Sequence, residues 1–105
     1  CISVNLPNND GTRNLISGKT VSAMKDRCTF VSVSRMDTVD YLALFEKAKK
    51  NPGFYVCLDL DVNEEVVKKL PDCPNVLVTP HIAGGTVETR KRMFREVAWN
   101  IAACR

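Results

Sequence analysis

The sequence predicts an α/β fold: a parallel sheet of about four strands, helices across its faces, and a long helix at the C-terminus. Three observations predict it. Short apolar, β-branched runs alternate along the chain with stretches of helical spacing or capping pattern, the order of strand and crossover helix that builds a parallel sheet. The strand runs are nearly continuous in apolar residues, which reads as strands covered on both faces. From Thr86 onward no proline or glycine interrupts a helical pattern.

The elements follow in order. Cys1 to Leu6 (CISVNL) is a strand that ends at Pro7 and the polar turn Asn8-Asn9-Asp10-Gly11. Ser17 to Met24 is a brief helix weakened by Gly18, and Cys28 to Ser34 (CTFVSVS) is the second strand. In Asp37-Thr38-Val39-Asp40 a capping residue precedes an acid three places on, and Tyr41, Leu44, Phe45 and Ala48 then recur at helical spacing. Lys47, Lys49 and Lys50 complement the negative end of that helix, and Asn51-Pro52-Gly53 stops it. Phe54 to Leu60 (FYVCLDL) is the third strand, Asn63 to Leu70 has the pattern of two helical turns, and Asn75 to Thr79 (NVLVT) is the fourth strand. In the last helix Val87, Phe94, Val97, Ala98, Ile101 and Cys104 trace one apolar face.

Composition narrows the function classes. At 105 residues there is room for one small domain at most, and 45% hydrophobic with 26% charged residues is the balance of a folded globular chain. A formal charge of +3 is too small for a dedicated nucleic-acid binder, and the basic cluster Arg90, Lys91, Arg92 and Arg95 has no aromatic platform beyond Phe94. No apolar run approaches the length of a membrane span. Five cysteines without a Cys-x-x-Cys pair, with a single histidine in the chain, write neither a metal site nor a redox pair, and Cys28 and Cys57 read as buried thiols in a reducing, cytoplasmic setting.

In parallel sheets ligands sit at the carboxyl ends of the strands, so those ends hold the candidate residues. Arg35 follows the second strand, where its planar fork suits a carboxylate; it could equally cap the strand end as a surface arginine. His81 follows the fourth strand after a stiffening proline and before the Gly84-Gly85 turn, a place open to either a structural or a catalytic histidine. Asp59 ends an apolar strand, where a charge needs a partner, a ligand or a turn to cap. Glu64 and Glu65 precede Lys68 and Lys69 by four residues, the spacing of ordinary helical ion pairs. A carboxylate beside an imidazole would nevertheless orient it and favour its protonated form.

Ser3-Val4-Asn5-Leu6-Pro7, then Thr12, Asn14-Leu15-Ile16 and Met24-Lys25, then Ser34-Arg35, Val39-Asp40 and Leu44, then Leu58-Asp59 and Glu64, then Asn75-Val76-Leu77-Val78-Thr79-Pro80-His81-Ile82-Ala83-Gly84, resemble the D-2-hydroxyacid dehydrogenase family. Asp59 and Glu64 follow Arg35 by 24 and 29 positions, as in that family. The resemblance runs over essentially the whole chain and matches the second half of a doubly wound, Rossmann-like NAD-binding domain. It implies that Arg35 holds the substrate carboxylate, that His81 exchanges a proton with the carbonyl oxygen, and that Glu64 pairs with His81. It also implies that Asp59 meets the nicotinamide carboxamide, and that Leu6, Pro7, Val33, Ser34, Arg35, His81, Ile82, Ala83 and Gly84 line NAD. The implied activity is hydride transfer between NAD(H) and a small 2-hydroxy or 2-keto acid, with no metal, membrane or nucleic acid involved.

Four positions depart from the family pattern: Asn5 stands for a common histidine, Ser32 for asparagine, Met36 for glycine and Glu65 for proline. Met36 is expected to crowd the substrate or cofactor. The Gly-x-Gly-x-x-Gly turn for the pyrophosphate is absent, and so is the acidic residue beyond it for the ribose. The chain, beginning at Cys1, is therefore expected to be a piece of a longer enzyme that acts with an N-terminal half and as a homodimer. Two other classes compete: a non-catalytic NAD-sensing or protein-binding relative marked by Met36 and Glu65, and a receiver-like signalling module with Asp59 as phosphoacceptor. The receiver would need an acidic pair after its first strand, where this chain has Asn8, Asn9 and Asp10.

Overall fold

The computed structural model describes residues 1–61 and 68–104. Strands β1 (Ile2–Val4), β2 (Cys28–Ser32), β3 (Phe54–Asp59) and β4 (Val76–Thr79) form one parallel sheet in the order β1-β2-β3-β4. Between them run helix α1 (Gly18–Ala23), a 3-10 turn (Met36–Thr38) and helix α2 (Tyr41–Lys50); helix α3 (Val87–Ala103) closes the chain. The expected helix over Asn63–Leu70 falls largely on residues 62–67, which lie outside the described residues.

The strands stop short of their sequence-based ends for a local reason. Ser34 turns its N–H to Ser32 Oγ at 3.2 Å, and Leu6 gives its N–H to Ser34 Oγ at 2.7 Å, so side-chain bonds replace the ladder where β1 and β2 end. Asp40, not Asp37, caps α2: its carboxylate accepts the Ala43 N–H at 3.0 Å, while Asp37 lies inside the 3-10 turn. Ser17 caps α1 from its own side chain.

The core lies on one face of the sheet. Phe30, Val56, Leu58 and Val4 from the strands bury against Val21 of α1 and Leu44, Phe45 and Ala48 of α2. The opposite face is open among the described residues: in β3, Tyr55 is 51% exposed between buried Phe54 and Val56, and Leu77 of β4 is 59% exposed. Among the described residues only the first face of the sheet is covered. Helices α1 and α2 sit on the same side, and α3, whose sequence traces one apolar face, has no buried residue. Strand β1 is an edge strand.

Asn75 locks the start of β4 to α2. It is 7% exposed, and its Nδ2 donates to the carbonyls of Phe54 (2.7 Å), Ala48 (3.0 Å) and Asn51 (3.3 Å). Two of those carbonyls belong to the end of α2, where helices leave acceptors without partners. The five cysteines are free, with Cys28 and Cys57 half-buried in the strands.

Candidate functional site

A parallel sheet in sequential order points all four carboxyl ends the same way, so the loops after β1, β2, β3 and β4 meet along one edge. That edge carries Leu6 and Pro7, Val33 to Arg35, Asp59 to Asp61, and His81 to Gly84. The Leu6–Ser34 bond joins the first two loops. Ser34 is buried, Val33 is 45% exposed and Pro7 is exposed, which leaves an accessible rim over a fixed backbone.

Asp59 organises the loop after β4. Its side chain accepts hydrogen bonds from Thr79 Oγ1, from the Ile82 N–H at 2.9 Å and from the Ala83 N–H at 2.8 Å. Burial alone would raise its pKa, but the Thr79, Ala83 and Ile82 bonds and the neighbouring His81 outweigh that and hold the carboxyl below its ordinary 3.8. The turn is tight. Pro80 cannot donate to the ladder, His81 gives its N–H to the Thr79 carbonyl at 3.0 Å, and Gly85 gives its N–H to the Ile82 carbonyl at 2.9 Å. His81 is thereby held at φ 52°, in the left-handed region that ordinary residues avoid at a cost of about 1–2 kcal/mol. The bonds to Asp59 fix the two residues that follow it.

Arg35 and His81 converge on a residue that sequence reasoning missed. Asp61 Oδ2 accepts a hydrogen bond from Arg35 Nη1 at 3.0 Å, and its Oδ1 lies 3.7 Å from His81 Nδ1. The three side chains remain about half exposed. The available signal was a second aspartate two places beyond Asp59, just past the end of an apolar strand. Glu64, the expected partner of His81, lies outside the described residues. Met36 does not crowd this corner: its half-buried side chain packs on the hydrophobic core from the 3-10 turn, which corrects the expectation for that departure. Ser32 is buried and spends its hydroxyl on the Ser34 N–H.

At the carboxyl ends of β2, β3 and β4 lies a depression of about 150 Å³, lined by Val31 to Val33, Cys57 to Asp59, Leu77, Thr79 and Ala83. Its walls are mainly apolar, and Asp59 and Thr79 supply polar atoms.

Comparison with known proteins matches this architecture. The family model described as D-isomer specific 2-hydroxyacid dehydrogenase, NAD binding domain, matches residues 1–83. A hydroxypyruvate reductase of Thermotoga maritima is 31% identical over 104 residues, which cover 95% of this chain and 34% of that protein. The peroxisomal glycerate dehydrogenase HPR of Arabidopsis thaliana is 36% identical over 91 residues, covering 86% of this chain and 24% of the relative. A crystal structure of D-lactate dehydrogenase from Aquifex aeolicus, complexed with NAD and lactic acid, superposes with a TM-score of 0.72 at 25% identity, over 97% of this chain and 36% of the other. The chain thus spans about a quarter to a third of the length of these relatives. With the matched region running from β1 through the turn after β4, the chain belongs to the D-isomer specific 2-hydroxyacid dehydrogenase family, in its NAD-binding domain.

Proposed function

We propose that this chain is the second half of the NAD-binding domain of a longer dehydrogenase, which interconverts a 2-keto acid and its D-2-hydroxy acid. The observation that carries this reading is the convergence of Arg35 and His81 at one corner of the sheet's carboxyl edge, both reaching the same carboxylate. A corner that holds a carboxylate between a guanidinium and an imidazole has the chemistry to hold a keto acid.

The fit to a dinucleotide is partial and informative. The apolar depression suits the flat face of a nicotinamide ring, and Asp59 at its edge has acceptor capacity left for a carboxamide. No Gly-rich phosphate turn occurs in the sequence, so the pyrophosphate would be held by a part of the enzyme beyond these residues. Leu6, Pro7, Val33, Ser34, Ile82, Ala83 and Gly84 would bound the ring from the strand ends. NADH, when bound, supplies the hydride that reduces the keto carbon. Arg35 would bind the substrate carboxylate and orient the ketone, and His81 would give its proton to the carbonyl oxygen and recover it in the reverse reaction. Glu64 would orient the imidazole. Assembly as a homodimer with the rest of the enzyme, and a cytoplasmic location, belong to the same proposal; no described helix is long and apolar enough to cross a membrane.

The test is NADH oxidation by the complete enzyme against a panel of 2-keto acids. Turnover that Arg35→Ala weakens mainly through the KM of the keto acid supports the reading. Tight NADH binding with no keto acid turned over would favour a non-catalytic nucleotide-binding relative.

A further inference from the structure

Asp61 is the one acidic side chain among the described residues that touches both groups assigned above to the substrate. Its carboxylate takes the Arg35 fork at 3.0 Å and stands 3.7 Å from the His81 ring. Asp61 is 62% exposed at its side chain. Its position is nevertheless fixed by the fold. It lies two residues past the end of β3, whose last residue Asp59 is tied to the loop that carries His81.

A carboxylate bound to Arg35 does two things to an incoming anion. It must give up its bond for a substrate carboxylate to take the fork, and once displaced it remains nearby as a fixed negative charge. The second effect scales with the charge on the ligand. A monoanion is disfavoured once and a dianion of similar shape about twice in free energy, which is the square in affinity. Exposure and salt screening keep each step modest.

Resting on the dehydrogenase reading, we propose that Asp61 is a specificity-determining residue, which guards Arg35 and selects 2-keto acids of a single negative charge over dicarboxylates and phosphorylated keto acids. The experiment uses the complete enzyme with NADH present and measures the binding of oxamate and oxalate by calorimetry. These two ligands have nearly the same shape and differ by one unit of charge at neutral pH. In Asp61→Asn we expect oxamate to bind about threefold tighter and oxalate about tenfold tighter, with the wild-type ratio restored in Asp61→Glu. The KM of the keto acid should fall in the same variant while the KM of NADH stays the same.

Equal changes for both anions, weaker binding in Asp61→Asn, or failure of either anion to bind wild type and variant alike would overturn the proposal. The two readings fail separately. Anion discrimination without turnover of any keto acid would sink the dehydrogenase reading and leave the guard in place; turnover with unaltered discrimination would do the reverse. Because Asp61 is exposed, thermal melting of Asp61→Asn should match wild type, which rules out a folding defect as the source of either result.

Discussion

Asp59 accepts the main-chain N–H of Ala83 at 2.8 Å, so the end of β3 holds the turn that follows β4. The same carboxylate takes the Ile82 N–H and the Thr79 hydroxyl. The buried acid is therefore first a brace for the segment bearing His81, and any contact with a cofactor is made by a group already fixed. In Asp59→Asn one oxygen becomes an NH2 that faces an N–H donor, with a cost of about 1–3 kcal/mol. We expect a lower denaturant midpoint and a fall of kcat/KM in the complete enzyme, whereas a purely cofactor-contacting Asp59 would leave the midpoint unchanged.

The lowered pKa of Asp59 sets the direction of its acid response. The unfolded chain takes up a proton near 3.8, before the folded state does, so this carboxylate contributes stability fully at pH values above that. The contribution declines as pH falls below 3.8 and is gone once pH passes the lower folded-state value. Denaturant midpoints compared between wild type and Asp59→Asn should differ most near neutrality and converge at the acid end.

Asn75 should matter to stability and not directly to chemistry. Replacing it by leucine keeps the branched outline but leaves the carbonyls of Phe54 and Ala48 without the donor they share. The expected loss is about 1–3 kcal/mol, read as a lower midpoint at an unchanged denaturant slope.

At His81 the choice of substitution separates backbone from chemistry. Asparagine tolerates the left-handed conformation at φ 52° better than alanine, so His81→Asn removes the imidazole with little strain. Loss of the proton donor should lower kcat about 10²- to 10⁴-fold in both variants. His81→Ala should in addition melt earlier than His81→Asn.

Much of this was legible from the sequence because the chain obeys local rules. The lysines and Asn51-Pro52-Gly53 at the end of α2 placed that boundary, and the strand runs gave the parallel sheet its four strands. Continuous apolar runs do not say which face a crossover takes; Tyr55 and Leu77 are exposed because α1 and α2 both pack on the other side. Met36 was misread for a related reason: adjacency to Arg35 in sequence says nothing of side-chain direction once a 3-10 turn intervenes. Asp61 was missed because its partners lie 26 and 20 residues away and only the fold joins them.

The central claim is that Arg35 and His81 serve hydride transfer to a keto acid, and isotope transfer tests it most directly. The complete enzyme is given a 2-keto acid and NADH deuterated at both C4 positions of the nicotinamide, and the product is analysed for label and configuration. The account predicts one deuterium at C2 of a D-2-hydroxy acid, transferred about 10²- to 10⁴-fold more slowly by His81→Asn and only at raised keto-acid concentration by Arg35→Ala. Unlabelled product, the L isomer, or an undiminished rate of label transfer in His81→Asn would contradict it.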